Sequence, residues 1–209
     1  MNTQTETLHE TLTTPVAGRY DIIVAGSGPA GFAAAITAGR MGARTLLLEQ
    51  THAVGGIATS GLMSHWTGAT QGPLYNEILE RESQPGPEEK YSGRHIINPD
   101  KLKLVMLEML QEAGVDLLLY TFVAAPVMEG NRVVGVINEN KNARQAWRAA
   151  SVIDATGDGD LAARAGAPYR KGREPDGGMQ PVTIMFKVAG VDYSRAVFPG
   201  SFETNFEIP

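Results

Sequence analysis

The chain has 209 residues, 43% hydrophobic and 20% charged, with a net charge of −5 and no cysteine. That composition gives a globular chain with enough apolar material for one good core; the acidic balance removes any electrostatic reason to expect nucleic acid or an anionic membrane, and no stretch is long enough to span a bilayer. Without cysteine, disulfides, thiolate metal sites and a redox-active dithiol are excluded, so redox chemistry would have to belong to a bound cofactor.

Residues 1–18 are Thr-rich and polar and lack the basic and apolar regions of a secretory signal, so they read as a disordered tail on a cytoplasmic protein. The run Ile22-Ile23-Val24-Ala25 then reads as a buried parallel strand feeding into Gly26-Ser27-Gly28-Pro29-Ala30-Gly31, a complete G-x-G-x-x-G. In that motif Gly26 permits the tight turn, Gly28 lets backbone approach a pyrophosphate, and Gly31 lets the next helix pack on the sheet. The helix, expected over 29–41, carries Ala30, Ala33, Ala34, Ala35 and Ala38 and points its first N–H groups at the ligand phosphates. A second strand, 45–48, ends in Glu49, 18 residues after Gly31. A carboxylate at that interval of about 20 accepts hydrogen bonds from both ribose hydroxyls and repels a 2′-phosphate, which disfavours NADP. Strand, small-residue helix and acid together make this a dinucleotide site.

Behind the acid, Gln50 opens a loop punctuated by Gly55-Gly56 and running through Ala58, Thr59 and Gly61. A backbone stripped of side chains can run along an extended dinucleotide, and the Gly-Gly pair so soon after the acid moves the expectation from any dinucleotide to FAD. His65 and Trp66 follow, near the flavin edge or the substrate entrance if the loop skirts the ring, and His65 is the candidate acid or base. His52 stands too close to Gly55 for the spacing of flavoproteins that attach FAD covalently, so noncovalent FAD is expected.

Residues 73–82 read as an amphipathic helix, broken by the Pro/Gly-rich stretch 83–89. The next helix is signalled by Asn98 as cap, Pro99 in the first position, an apolar face of Leu102, Val105, Met106, Met109, Leu110 and Ala113, and Gly114 as stop. Three short strands, 117–124, 132–138 and 144–149, form an antiparallel meander that replaces a helix as the crossover. The chain re-enters the parallel sheet at 152–154 and leaves through Ala155-Thr156-Gly157, small enough for a second close approach to the cofactor. Asp158-Gly159-Asp160 lacks the further oxygen ligands of a calcium loop; no metal site is expected, and Asp158 is placed to cap a helix over 161–165. Residues 181–189 look like a strand of a different, substrate-side sheet.

With these motifs in order from Tyr20 to Asp192, the chain resembles the N-terminal part of an FAD-dependent oxidoreductase of the glutathione reductase-like superfamily, in its fumarate reductase/succinate dehydrogenase-like branch. The segments GGIATSGLM, IDATGDGDLAARAGAP and QPVTIMFKVAGVD carry the resemblance. It implies an α/β fold: a Rossmann-like FAD-binding domain over 19–172, with parallel sheet and β-meander crossover, then the start of a substrate domain over 173–209. It also implies that Gly26, Ser27, Gly28, Pro29, Ala30 and Gly31 hold the pyrophosphate, Glu49 and Gln50 the adenosine side, and Val123 the adenine through its backbone. Gly55, Gly56, Ala58 and Thr59 would lie toward the flavin, with Ala155, Thr156 and Gly157 on the inner face of the cofactor. Gln50 departs from the basic residue that many relatives place there.

Such enzymes complete the FAD domain with a returning C-terminal segment, so the chain is expected to be an N-terminal fragment. The implied activity is two-electron transfer between flavin N5 and a small-molecule substrate, with substrate and electron acceptor unread and homo-oligomerisation left open. The alternatives are an NAD-linked dehydrogenase and a noncatalytic FAD- or ADP-binding remnant.

Overall fold

The computed structural model describes residues 6–63, 66, 72–82, 97–192 and 194–195. Strand β1 (Val16–Ala25) divides its apolar end between two faces of a sheet. Val24 packs with Phe32, Ala35, Ile36 and Leu47 on one face, while Ile23 and Ala25 pack with Leu46, Leu48, Val136 and Leu161 on the other. A strand covered on both sides needs apolar residues at every position, which is why 22–25 shows no alternation.

Helix α1 (Pro29–Arg40) returns the chain to β2 (Thr45–Leu48), and helix α2 (Pro73–Glu82) precedes helix α3 (Pro99–Glu112). Both α1 and α3 supply the first face of the core, α3 through Leu102, Val105, Met106, Met109 and Leu110. Strands β3 (Asp116–Leu118), β4 (Phe122–Glu129), β5 (Arg132–Glu139) and β6 (Arg144–Asp154) follow, and the short helix α4 (Asp160–Arg164) closes the unit. The six strands form one sheet in the order β3-β2-β1-β6-β5-β4. Pairing is parallel from β3 through β6 and antiparallel from β6 through β4, so the expected α/β fold with a meander crossover is the one observed. Arg40, Glu77, Arg81 and Glu112 tie the outer surfaces of α1, α2 and α3 together at 2.7–2.9 Å.

Four local expectations differ from what is observed. Val16 to Gly18, placed in the tail by the sequence, pair with β6 opposite Ala146 and Trp147. The stretch 117–124 is two strands: β3 pairs with β2, the chain turns at Tyr120 with φ +50°, and β4 starts the meander. The last meander strand and the re-entering strand are one, because β6 finds β5 along one edge and β1 along the other, without a break at the exposed Ala150-Ser151. Residues 181–189 form no strand: Val182 is 98% and Ile184 89% exposed, and no strand among the described residues offers them hydrogen bonds. No helix among the described residues is long and apolar enough to cross a membrane.

Candidate functional site

Parallel sheets expose a crevice at the carboxyl ends of their strands, where the order of connection reverses. Here β1 runs in the middle, with β2 reached first and β6 last, and the loops after all three meet around a cleft of about 670 Å³. Its lining includes Gly26 to Ala30, Leu48 to Thr51, Gly56, Ile57, Ser60, Gly61, Thr121 to Val123, Ala155 to Gly157 and Asp160.

The glycines of the first loop separate into two kinds. Gly26 has φ +91°, and a Cβ on it would stand 2.3 Å from the Ala155 carbonyl oxygen; a Cβ on Gly31 would stand 1.9 Å from the Gly26 carbonyl oxygen. Those two are required by the protein's own packing. Gly28 is not: its φ of −59° suits any residue, and a Cβ there would meet nothing within 4 Å. The space in front of Gly28 lies in the cleft, and a ligand's close approach is the reason to keep it clear. Gly56 comes in from the far side, so close that its Cβ would lie 2.9 Å from the Gly28 Cα.

Helix α1 starts at this point without closing its own N-terminus. Gly28 has no side chain to cap it, Pro29 has no N–H, and the first turn contains no acidic residue. The first helical bond runs from Phe32 N to the Gly28 carbonyl, at 2.8 Å, leaving the N–H groups of Ala30 and Gly31 at the positive end of the dipole. An anion is the natural partner for such an end.

Glu49 is 5% exposed, and its carboxylate already holds the site together. Its Oε2 accepts from Ser27 N at 2.9 Å and from Ser27 Oγ at 2.6 Å, and its Oε1 accepts from Thr51 N at 2.7 Å. Burial pushes the carboxyl up, but the bonds from the Ser27 hydroxyl and the Thr51 and Ser27 N–H groups outweigh it and hold Glu49 below the usual carboxylate range. A carboxylate offers about four lone-pair positions. With three of them filled, about one remains for a ribose hydroxyl, rather than the pair of bonds expected from sequence.

A second carboxylate does the same behind the loop Ala155 to Gly157, which lines the cleft. Asp154, at the end of β6, accepts from Thr156 N and Thr156 Oγ1 through Oδ1, and from Ala162 N through Oδ2 at 2.8 Å. Burial raises its carboxyl, and the bonds from Ala162 and Thr156 bring it below its ordinary value. Asp158, expected to cap this helix, does not: the N-cap position is Gly159, and Asp160 N is bound by Thr156 Oγ1 at 3.1 Å. The strand-end Asp154 reaches the helix first because β6 delivers it directly beneath the first turn.

The other sequence-selected residues fall as follows. Gln50, Val123, Ala155, Thr156 and Gly157 lie on the cleft wall with the first loop. Ala58 and Thr59 are 2% and 0% exposed, and the Thr59 hydroxyl donates to the Val54 carbonyl, so at this bend Ile57 and Ser60 line the cleft instead. Gly55 is buried and donates its N–H to the Ser27 carbonyl at 2.8 Å, pinning the two glycine loops to each other. His52 sits outside the cleft lining with its ring 6.5 Å from that of Tyr120, and His65 lies outside the described residues. Thr51, Thr121 and Phe122 were not singled out by sequence; their signal is position alone, beside Glu49 and Val123. Among the described residues no group of His, Asp and Glu side chains is arranged to hold a metal.

Comparison with known proteins gives the site a family. The curated digeranylgeranylglycerophospholipid reductase 1 of Methanococcoides burtonii is 27% identical over 158 residues, covering 66% of this chain and 38% of that protein. Among solved structures, a geranylgeranyl bacteriochlorophyll reductase-like protein of Thermoplasma acidophilum superposes with a TM-score of 0.55 at 22% identity, over 71% of this chain and 42% of that one. The Thermovibrio ammonificans THI4 structure gives a TM-score of 0.56 at 19% identity, over 70% and 61%. This chain therefore spans about two fifths of the curated relative it matches. The model of the FAD dependent oxidoreductase family matches residues 21–207, and the chain belongs to that family.

Proposed function

We propose that this member of the FAD dependent oxidoreductase family holds FAD noncovalently in the cleft and serves two-electron transfer with a small-molecule substrate. The observation that carries the reading is the cleared space at Gly28, in front of a helix N-terminus that no side chain caps. FAD, when bound, supplies a flavin ring that takes up or gives back a hydride.

The chain's own residues bind and orient. In the loop from Gly26 to Gly31 the N–H groups of Gly28, Ala30 and Gly31 would face the diphosphate, those of Gly26 and Ser27 being held by the Leu48 carbonyl and Glu49, and Glu49 would accept a ribose hydroxyl at its remaining lone pair. Gln50 and the Val123 backbone would take the adenosine end. Gly56 with the turn through Ala58 and Thr59 would run along the middle of the cofactor, and Ala155 to Gly157 would cover its inner face. By the same reading His65 is the acid or base beside the substrate, and the protein is cytoplasmic. His65→Gln should then slow flavin reduction and leave FAD occupancy unchanged; normal reduction kinetics would remove it from that role.

The test of the reading is a visible absorption spectrum of the purified chain, repeated on the supernatant after acid precipitation. Flavin bands that pass into the supernatant support noncovalent FAD; a colourless protein that stays so with added FAD defeats it. A second reading, FAD binding without turnover, is favoured by one observation: among the described residues, the only ionisable ones in the cleft lining are Glu49 and Asp160. Turnover with an artificial electron acceptor separates the two.

A further inference from the structure

Among the described residues, the cleft lining holds two carboxylates and no basic residue, although an FAD diphosphate is an anion and adenine is an aromatic ring that attracts cations. Among the described residues, a cation stands against its rim. Arg164, in the last turn of α4, places its guanidinium carbon 5.7 Å from the centroid of the Phe122 ring. Its Nη1 lies 3.4 Å from the Val123 carbonyl oxygen and its Nη2 3.8 Å from the Asp160 carboxylate. Phe122, Val123 and Asp160 all line the cleft.

None of these contacts is tight. The hydrogen bond is at the long limit, the ion pair is beyond hydrogen-bond reach, and the Arg164 side chain is 39% exposed. Arg81, whose role is to tie helices, looks different: its nitrogens bond Glu77 and Glu112 at 2.7–2.9 Å. A guanidinium has five donors and a flat face that stacks on aromatic rings. Among the described residues most donors of Arg164 are without a short bond, while the flat face is already turned to an aromatic ring at the cleft mouth, next to the backbone of Val123.

We propose that Arg164 is a further cofactor-binding residue, one that packs its planar cation against the purine at the adenosine end of the cleft, beside Phe122. The inference rests on the FAD reading and adds to it a specific contact that supplies the missing positive charge. It also gives Phe122 a part, as the ring that holds the guanidinium in place before the base arrives.

The experiment measures the affinity of the 209-residue chain for FAD by flavin fluorescence, and for ADP by competition, in the wild type, Arg164→Ala and Arg164→Lys, with the melting temperature of each ligand-free protein. A cation–π contact of ordinary strength predicts that Arg164→Ala loses roughly tenfold in affinity for FAD and the same factor for ADP, with melting unchanged. Arg164→Lys should recover only a small part, because an ammonium lacks the flat face. Unchanged FAD and ADP affinities in Arg164→Ala overturn the proposal, as does full recovery by lysine, which would assign a plain charge, or a loss matched by a lowered melting temperature. A wild-type chain with no affinity for FAD is a separate result: it defeats the FAD reading first, and this inference with it.

Discussion

Helices α1 and α3 both begin with proline, yet their N-termini are in opposite states. At α3, Asn98 Oδ1 accepts from Asp100 N at 3.0 Å and Lys101 N at 3.2 Å, Asp100 sits in the first turn, and Glu82 takes the N–H of Asn98 itself at 2.7 Å. Every early donor is met within the protein or close to a negative charge. At α1 the cap position is Gly28, the first turn has no acid, and the helix start from Gly28 to Ala30 lines the cleft. Asparagine against glycine, one residue before proline, separates a helix that supports the fold from one that waits for a ligand.

The strongest way to break this contrast is to give α1 the cap of α3. Gly28→Asn should leave the ligand-free protein as stable as before or slightly more so, since the backbone there suits any residue and glycine is only a few tenths of a kcal/mol worse as a cap. FAD affinity should fall by about a hundredfold or more, the loss of two charge-assisted bonds at about 1.5 kcal/mol or more each. Titration of both variants with FAD decides it; retained affinity would mean the cleared space does not face the diphosphate.

Glu49→Ala comes next. Losing a charged hydrogen bond of about 1.5–3 kcal/mol should weaken FAD by one to two powers of ten, and because Ser27 and Thr51 lose their acceptor the ligand-free melting temperature should fall too. An unchanged flavin dissociation constant would remove Glu49 from the ribose. Acid should reach the same contact without mutation. Glu49 and Asp154 both have carboxyls held below their ordinary values, so their contribution to stability is full above the unfolded carboxylate range and lost as pH falls through the lower, folded values. Melting temperature should therefore show no loss from these two groups between pH 7 and about 5 and should drop below about 4; a loss already complete at pH 6 would point to other groups. The smallest effect belongs to Asn98→Ala, which should cost about 1 kcal/mol of stability and leave FAD affinity untouched. A change in flavin binding there would dissolve the distinction between the two helices.

The sequence made α1 legible because its signals are local. Strand, glycines, small-residue helix and Glu49 follow within thirty residues of one another, at intervals that only a few backbone arrangements satisfy. The cap of α3 was equally plain. What stayed hidden depends on partners. Tyr120 turns the chain at positive φ without being glycine, because its N–H is held by the Thr51 carbonyl and that of Thr121 by the Glu49 carbonyl. The continuity of β6 comes from two neighbouring edges, and the absence of a strand at 181–189 from having none. Ser27 reads as a small residue within a glycine motif; only the distance to Glu49 shows that its hydroxyl anchors the acid. Arg164 carried no signal at all, since nothing in the spacing of residues 155–165 points one arginine toward a distant strand.

The pairing of β1 with β6 bears on how the protein is made. The register places Val16 opposite Ala146, so a strand near the front of the chain waits for a partner 130 residues further on. During synthesis, at about 5–20 residues per second, residues 22–25 leave the ribosome early and can pair at first only with β2, one bare apolar edge remaining open until β6 emerges. Long-range parallel closure of this kind is slow. Over those seconds the nascent chain is a template for aggregation, and a chaperone that covers an exposed strand edge would raise its yield more than any change at the cofactor site.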